Sequence, residues 1–295
     1  MIISIAAELS MEVIPSGAAL GAELRGLDIA AGVAPRTLQG ILAAWSEHLV
    51  LVVREQRLSD PQFVAFSRLF GELDPPGPNP YGKPFHETFP ELNVISNIVE
   101  GGVPRGNLGA GEAVWHADMT YVEQPPKAAL LYAIEIPPSG GDTFFANMFA
   151  AYEALPADLK VRIENLSAVH DASRNSAGML RKGYTETTDV RQVPGAHHPL
   201  VRKDPVSGRS SLFLGRRPGS YVIGLEVAES EALLDRLWAH ATEPRFTMCH
   251  RWRVGDLVMW NNSAVLHRRD PFDPASRRRL HRAQIKGDGA ALNAP

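Results

Sequence analysis

Beyond residue 127 the chain reads as short apolar segments broken by turn residues, over 128–135, 143–146, 168–171, 198–202, 211–214, 246–251, 256–261 and 280–285. Segments of this length and spacing are strands, and many short strands around one core predict a sandwich or barrel. Two stretches interrupt the pattern. The first, 148–166, is a helix broken at Pro156; the second, 228–240, is a helix with Leu233, Leu234, Leu237 and Trp238 along one face, as a core-packed helix requires.

The first third reads as mixed α and β scaffold. Ser59-Asp60-Pro61-Gln62 places a capping serine, a first-turn proline and a glutamine able to reach back to the cap, ahead of Phe63, Phe66, Leu69, Phe70 and a terminating Gly71. A helix is therefore expected there, preceded by a helix over 35–48 and a buried strand over 49–53. The segment 74–84 carries too many prolines for a helix or central strand, so it is a loop. A linker between two domains is one reading of it; because a strand over 92–99 follows and leads toward His116, the preferred expectation is a loop that covers a site, as for a second loop over 173–194, with residues 1–295 forming one domain.

Composition narrows the function classes. With 21% charged and 44% hydrophobic residues the chain is of ordinary globular type. A net charge of −3 offers no broad attraction to nucleic acid or anionic membrane. The one cysteine, Cys249, cannot form an internal disulfide, is expected to be buried as a small apolar residue, and fits a reducing compartment. The apolar start, Met1 to Ala7, has no basic lead and is cut short by Glu8, and no long uncharged apolar run follows. A cytoplasmic protein without a membrane span is expected.

The chemistry concentrates in two places. In Trp115-His116-Ala117-Asp118, the imidazole and the carboxylate project to the same side of an extended chain and can grip one metal ion. A third ligand is available in His267, at the end of the strand-like run that begins at Trp260. Two histidines and a carboxylate on one face of an ion leave the opposite positions open, the arrangement of non-haem iron(II) oxygenases, although zinc is also compatible with such a set. The adjacent pair His197 and His198 would point to opposite faces of a strand. His48, His86, His170, His240, His250 and His281 have no partner at ligand spacing and are read as structural or surface residues. The second place is Arg277-Arg278-Arg279-Leu280-His281-Arg282, where strand alternation would send Arg278, Leu280 and Arg282 toward an interior. Guanidinium forks there suit carboxylates.

Together these segments, with Gly140-Gly141-Asp142-Thr143 between them, resemble the taurine dioxygenase and 2,4-dichlorophenoxyacetate dioxygenase family over a span from about Met11 to Asp288. The resemblance implies a double-stranded β-helix, a cupin-like jelly roll, mainly β with helices packed outside. It implies iron(II) held by His116, Asp118 and His267, with 2-oxoglutarate and O2 as cosubstrates. Arg278 and Thr143 match the pair that anchors the distal carboxylate of 2-oxoglutarate, and Arg282 matches an arginine that holds the substrate's anionic group. The implied reaction hydroxylates a small organic anion, a sulfonate or aryloxyalkanoate-like carboxylate, and yields succinate and CO2. Family members are commonly dimers or tetramers, so a homo-oligomer is expected.

The chain departs from the family pattern at two points. Asp74-Pro75-Pro76 stands where the taurine enzyme has taurine-binding histidines, which argues against taurine itself. Glu112, four residues before His116, would oppose a bound anion unless it faces solvent. A non-catalytic metal-binding jelly roll and a zinc hydrolase remain as alternatives; the second would leave Thr143 and Arg278 unexplained.

Overall fold

The structure, a computed structural model, describes residues 11–77, 79, 81–82 and 84–287. The apolar start, three positions of the 74–84 loop and Asp288 lie outside the described residues.

Two facing sheets form the centre. The larger has eight strands in the order Glu12–Pro15, Ala22–Arg25, Val50–Val53, Leu257–Asn261, Ala128–Glu135, Arg279–Ile285, Asn93–Ser96 and Asn107–Leu108. The smaller has four, in the order Thr247–His250, Thr143–Asn147, Val265–Arg269 and Ala113–His116, all antiparallel. This is the expected jelly roll with helices outside.

Side-chain alternation assigns each strand residue to a layer. Val50 and Val52, Leu131 and Ala133, Val258 and Trp260 turn inward and meet Phe145 and Val265 from the smaller sheet. Their neighbours Leu51, Val53, Leu130, Tyr132, Leu257 and Met259 turn outward onto two helices, α1 (Pro35–His48) and α2 (Asp60–Arg68), through Ile41, Phe63 and Phe66. On the far side, Ala146 and Leu266 lie under α3 (Met148–Glu153), α4 (Ala157–Ile163) and α5 (Val227–Ala241). Removing apolar surface from water on both faces of each sheet supplies the main driving force for this stack.

Local signals act as their chemistry suggests. The Ser59 N–H donates to Gln62 Oε1 at 2.9 Å at the head of α2. Pro156 divides the 148–166 helix into α3 and α4, because proline lacks the N–H that an unbroken helix would use. Two expectations change. The run from Trp260 to His267 is not one strand: it leaves the larger sheet at Asn261, turns through Asn262, Ser263 and Ala264, and enters the smaller sheet at Val265. Cys249 is exposed, because it sits on the outward side of an edge strand whose inward positions go to its neighbours.

Candidate active site

His116 is the last residue of its strand and pairs in register with His267, which pairs on its other side with Phe145. Residues opposite one another in an antiparallel ladder share a face. The two imidazoles therefore meet inside the jelly roll, with ring centroids 4.1 Å apart. Just past the strand end the chain turns, with Met119 at φ 51°, and Asp118 swings under both rings. Its Oδ1 lies 3.7 Å from His116 Nε2 and 4.0 Å from His267 Nε2.

The donor set fits a metal ion. His116 Nδ1 donates to the Val114 carbonyl at 2.8 Å, which leaves the Nε2 lone pair facing its partners. Asp118 Oδ2 is buried without a hydrogen-bond partner among the described residues, and the three candidate ligand atoms lie within 4.8 Å of one another. Burial pushes the pKa of His116 down and that of His267 well down, so both rings are neutral near pH 7, the form that binds metals. Burial alone would raise Asp118, but Arg282, His267 and His116 outweigh it and hold the carboxyl below its usual range.

An amide the sequence reading passed over holds the two halves of this set together. Asn262, in the turn between the sheets, accepts the Asp118 N–H at 2.7 Å and donates to the Asp118 carbonyl at 2.9 Å and to that of Pro126 at 2.8 Å. It stands in the run from Trp260 to His267; its partner, 144 residues away, carries no signal in that run. His198 is buried and donates to the Thr120 carbonyl at 2.7 Å behind the same turn, while His197 is exposed.

A second buried cluster lies along the same inner face. Thr143 is buried, and its Oγ1 accepts from Trp252 Nε1 at 2.9 Å. Directly opposite in the ladder stands Arg269, two residues after His267 and on the same face, which strand alternation could have revealed. Arg278 is only 2% exposed. Its Nε and that of Arg269 have no hydrogen-bond partner, and no carboxylate reaches ion-pair distance of either among the described residues. Burial lowers Arg278 to about 9, with Arg269 adding to the effect, and lowers Arg269 to about 10. Gly141 keeps the space open: a Cβ there would stand 3.2 Å from Arg278 Nε, at a φ of +70° that disfavours any side chain. Two buried cations with no carboxylate at ion-pair distance among the described residues suit an anion such as a carboxylate.

The remaining arginines of the 277–282 run divide by strand alternation. Arg277 and Arg279 turn out to Glu135, at 2.7 and 2.9 Å, while Arg282 turns in and donates to Asp118 Oδ1 at 2.7 Å. Arg282, His116 and Asp118 line a pocket with Tyr121, Arg181 and Arg216. Arg216 pairs with Asp171 at 2.5 Å, and nothing local in the sequence announces either. Glu112 is exposed, 3.9 Å from Arg268, so it does not oppose an anion inside. His86 and His281, read above as lacking partners, both meet Asp60, at 2.9 and 2.7 Å. Their contact joins the segment after the 74–84 loop to α2 and the Arg279–Ile285 strand, a long-range pairing that sequence spacing does not show.

The many buried neutral histidines carry a prediction. Burial lowers His116, His170, His198, His250, His267 and His281 below the usual value near 6.5. Below about pH 6.5 the unfolded chain therefore binds more protons than the folded one, and stability falls with pH, by up to about 1.4 kcal/mol per pH unit for each histidine. Denaturant midpoints of metal-free protein should drop steeply between about pH 7 and pH 5; a flat profile would contradict these assignments.

A jelly roll that turns two histidines and an aspartate toward one point, with two buried arginines farther along the same face, fits the class of 2-oxoglutarate-dependent non-haem iron dioxygenases. Residues 12–284 match the model of the taurine catabolism dioxygenase TauD, TfdA family, and the chain belongs to that family. It is 39% identical over 277 residues to the alpha-ketoglutarate-dependent 2,4-dichlorophenoxyacetate dioxygenase of Cupriavidus pinatubonensis, covering 90% of this chain and 94% of that one. It is 34% identical to the (S)-phenoxypropionate/alpha-ketoglutarate-dioxygenase of Sphingobium herbicidovorans, covering 97% and 98%. A crystal structure of a taurine dioxygenase from Burkholderia xenovorans superposes with a TM-score of 0.76 at 34% identity, over 95% of this chain and 90% of that one. The chain is thus an oxidoreductase whose cofactors are Fe(II), 2-oxoglutarate and O2. Among the described residues no helix is long and apolar enough to cross a membrane.

Proposed function

We propose that the protein hydroxylates a small organic anion, an aryloxyalkanoate-like carboxylate or a sulfonate, at a centre held by His116, Asp118 and His267. The observation that carries this reading is the convergence of those three side chains beside a pocket lined by arginines. The substrates in the names of two relatives, a phenoxyacetate and a phenoxypropionate, are carboxylates and support it.

The residues divide the work. His116 and His267 present neutral nitrogens, and Asp118 supplies one negative charge, kept ionised by Arg282. Bound iron would couple oxidative decarboxylation of 2-oxoglutarate, giving succinate and CO2, to insertion of oxygen into a substrate C–H bond. Arg278 and Thr143 are assigned to the far carboxylate of 2-oxoglutarate. Trp252 fills one acceptor site of the Thr143 hydroxyl and leaves its proton free to be donated to that carboxylate. Asn262 fixes the backbone on either side of Asp118, so its carboxylate stays under the imidazoles when substrate enters. Arg282 is assigned to the substrate's anionic end while it also contacts Asp118.

This dual position sets a test. Arg282→Ala should raise KM for the organic substrate by roughly 30-fold or more, the range for removing one partner of a buried charge pair, with a much smaller effect on KM for 2-oxoglutarate. Equal rises in both constants would remove Arg282 from the substrate end.

A further inference from the structure

The pocket beside the metal centre is lined by four arginines, Arg174, Arg181, Arg216 and Arg282. Three of them have carboxylate partners: Arg174 pairs with Glu186, Arg216 with Asp171 and Arg282 with Asp118. Arg181 has none among the described residues. It is only 9% exposed, and its Nε is buried without an acceptor among those residues. A buried, unpaired guanidinium is costly, so its presence at the wall of a binding pocket calls for a counter-ion brought from outside.

The surroundings fix this side chain in place. The Arg181 N–H donates to the Ser173 carbonyl at 2.7 Å, and its Nη1 donates to the Ala172 carbonyl at 2.8 Å. The guanidinium lies over the Tyr121 ring, 3.8 Å from the centroid, three residues beyond Asp118 in the chain. With Nη1 committed to a carbonyl and one face committed to an aromatic ring, Nε and Nη2 form the remaining edge. Those two donors are parallel and spaced to receive both oxygens of one oxyanion. Arg181 comes from the 173–194 loop, so an anion held there would tie that loop to the floor of the pocket.

We infer that Arg181 is a specificity-determining residue that receives the anionic group of the primary substrate, jointly with Arg282 of the Arg279–Ile285 strand, which lines the same pocket. This rests on the reading of the arginine-lined pocket as the substrate site. The ligand chemistry is an oxyanion with two oxygens available side by side, which a carboxylate, a sulfonate and a sulfate monoester all present.

Titration calorimetry on protein loaded with Mn(II) and 2-oxoglutarate tests it. Phenoxyacetate, pentane-1-sulfonate and hexyl sulfate serve as probes, with phenoxyacetamide as the uncharged control. In Arg181→Gln the Kd of the best-bound anion should rise roughly 30-fold or more, as expected for loss of a buried charged partner. The affinities for phenoxyacetamide and for 2-oxoglutarate should stay unchanged, and Arg181→Lys should recover part of the loss. The rank order among the three anions in the unaltered protein identifies the group it prefers. The inference is overturned if no anion binds the unaltered protein, if Arg181→Gln binds the best anion as well as the parent does, or if the amide weakens in parallel with the anion. Failure of 2-oxoglutarate itself to bind would strike the dioxygenase reading instead, and the anion titrations on Mn(II)-loaded protein would still decide the role of Arg181.

Discussion

Asp118→Ala should abolish iron-dependent formation of succinate, with a fall larger than the roughly 10 to 100-fold that loss of a ligand's supporting partner typically causes. The substitution removes one of three candidate ligands from a site where the other two are neutral imidazoles, so it also removes the charge that draws a divalent cation inward. It leaves the largely covered Arg282 without its partner, and breaking a buried pair costs up to about 3 to 5 kcal/mol of stability. Asp118→Asn, which keeps the size and a hydrogen-bond acceptor for Arg282, separates the two effects. Both variants should lose Mn(II) binding and turnover, while Asp118→Asn should unfold closer to the parent. Succinate production that survives in a folded Asp118→Asn protein would exclude this carboxylate as a ligand.

Arg278 carries the second large effect. Its guanidinium is almost wholly buried, lies beside another buried arginine and has no carboxylate at ion-pair distance among the described residues, so its charge suits an anionic ligand. Arg278→Gln should raise KM for 2-oxoglutarate by roughly 30-fold to several thousand-fold, corresponding to about 2 to 5 kcal/mol. Because removing the charge also relieves repulsion from Arg269, the variant should not lose stability and is expected to gain some. Arg278→Lys should recover little, since a single ammonium cannot reproduce a planar fork. An unchanged KM for 2-oxoglutarate would move the cosubstrate's far end elsewhere.

The strands and helices were legible because their signals are local. The 128–135 strand, the capping residues of α2 and the break at Pro156 depend on neighbours within a few positions. The inward turn of Arg278 and Arg282 followed from alternation alone. What remained hidden depends on pairing across the fold. The strand register that places His116 against His267, the amide of Asn262 across 144 residues, and the meeting of His86 and His281 at Asp60 are all set by how distant segments pack. Arg181 belongs to this group: that it has no carboxylate partner among the described residues becomes visible only when the other arginines around the pocket have been paired.

The turn at Asn262, Ser263 and Ala264, where the chain crosses from one sheet to the other, has a consequence for biosynthesis. The strand after the crossing brings both His267 and the register that fixes it against His116, so an N-terminal portion of the chain holds a histidine and an aspartate but no complete site. Such long-range pairing is slow to form because loop closure precedes any reward from contact. In a nascent chain the three side chains therefore come together only after the strand carrying His267 has been made and has paired with that of His116.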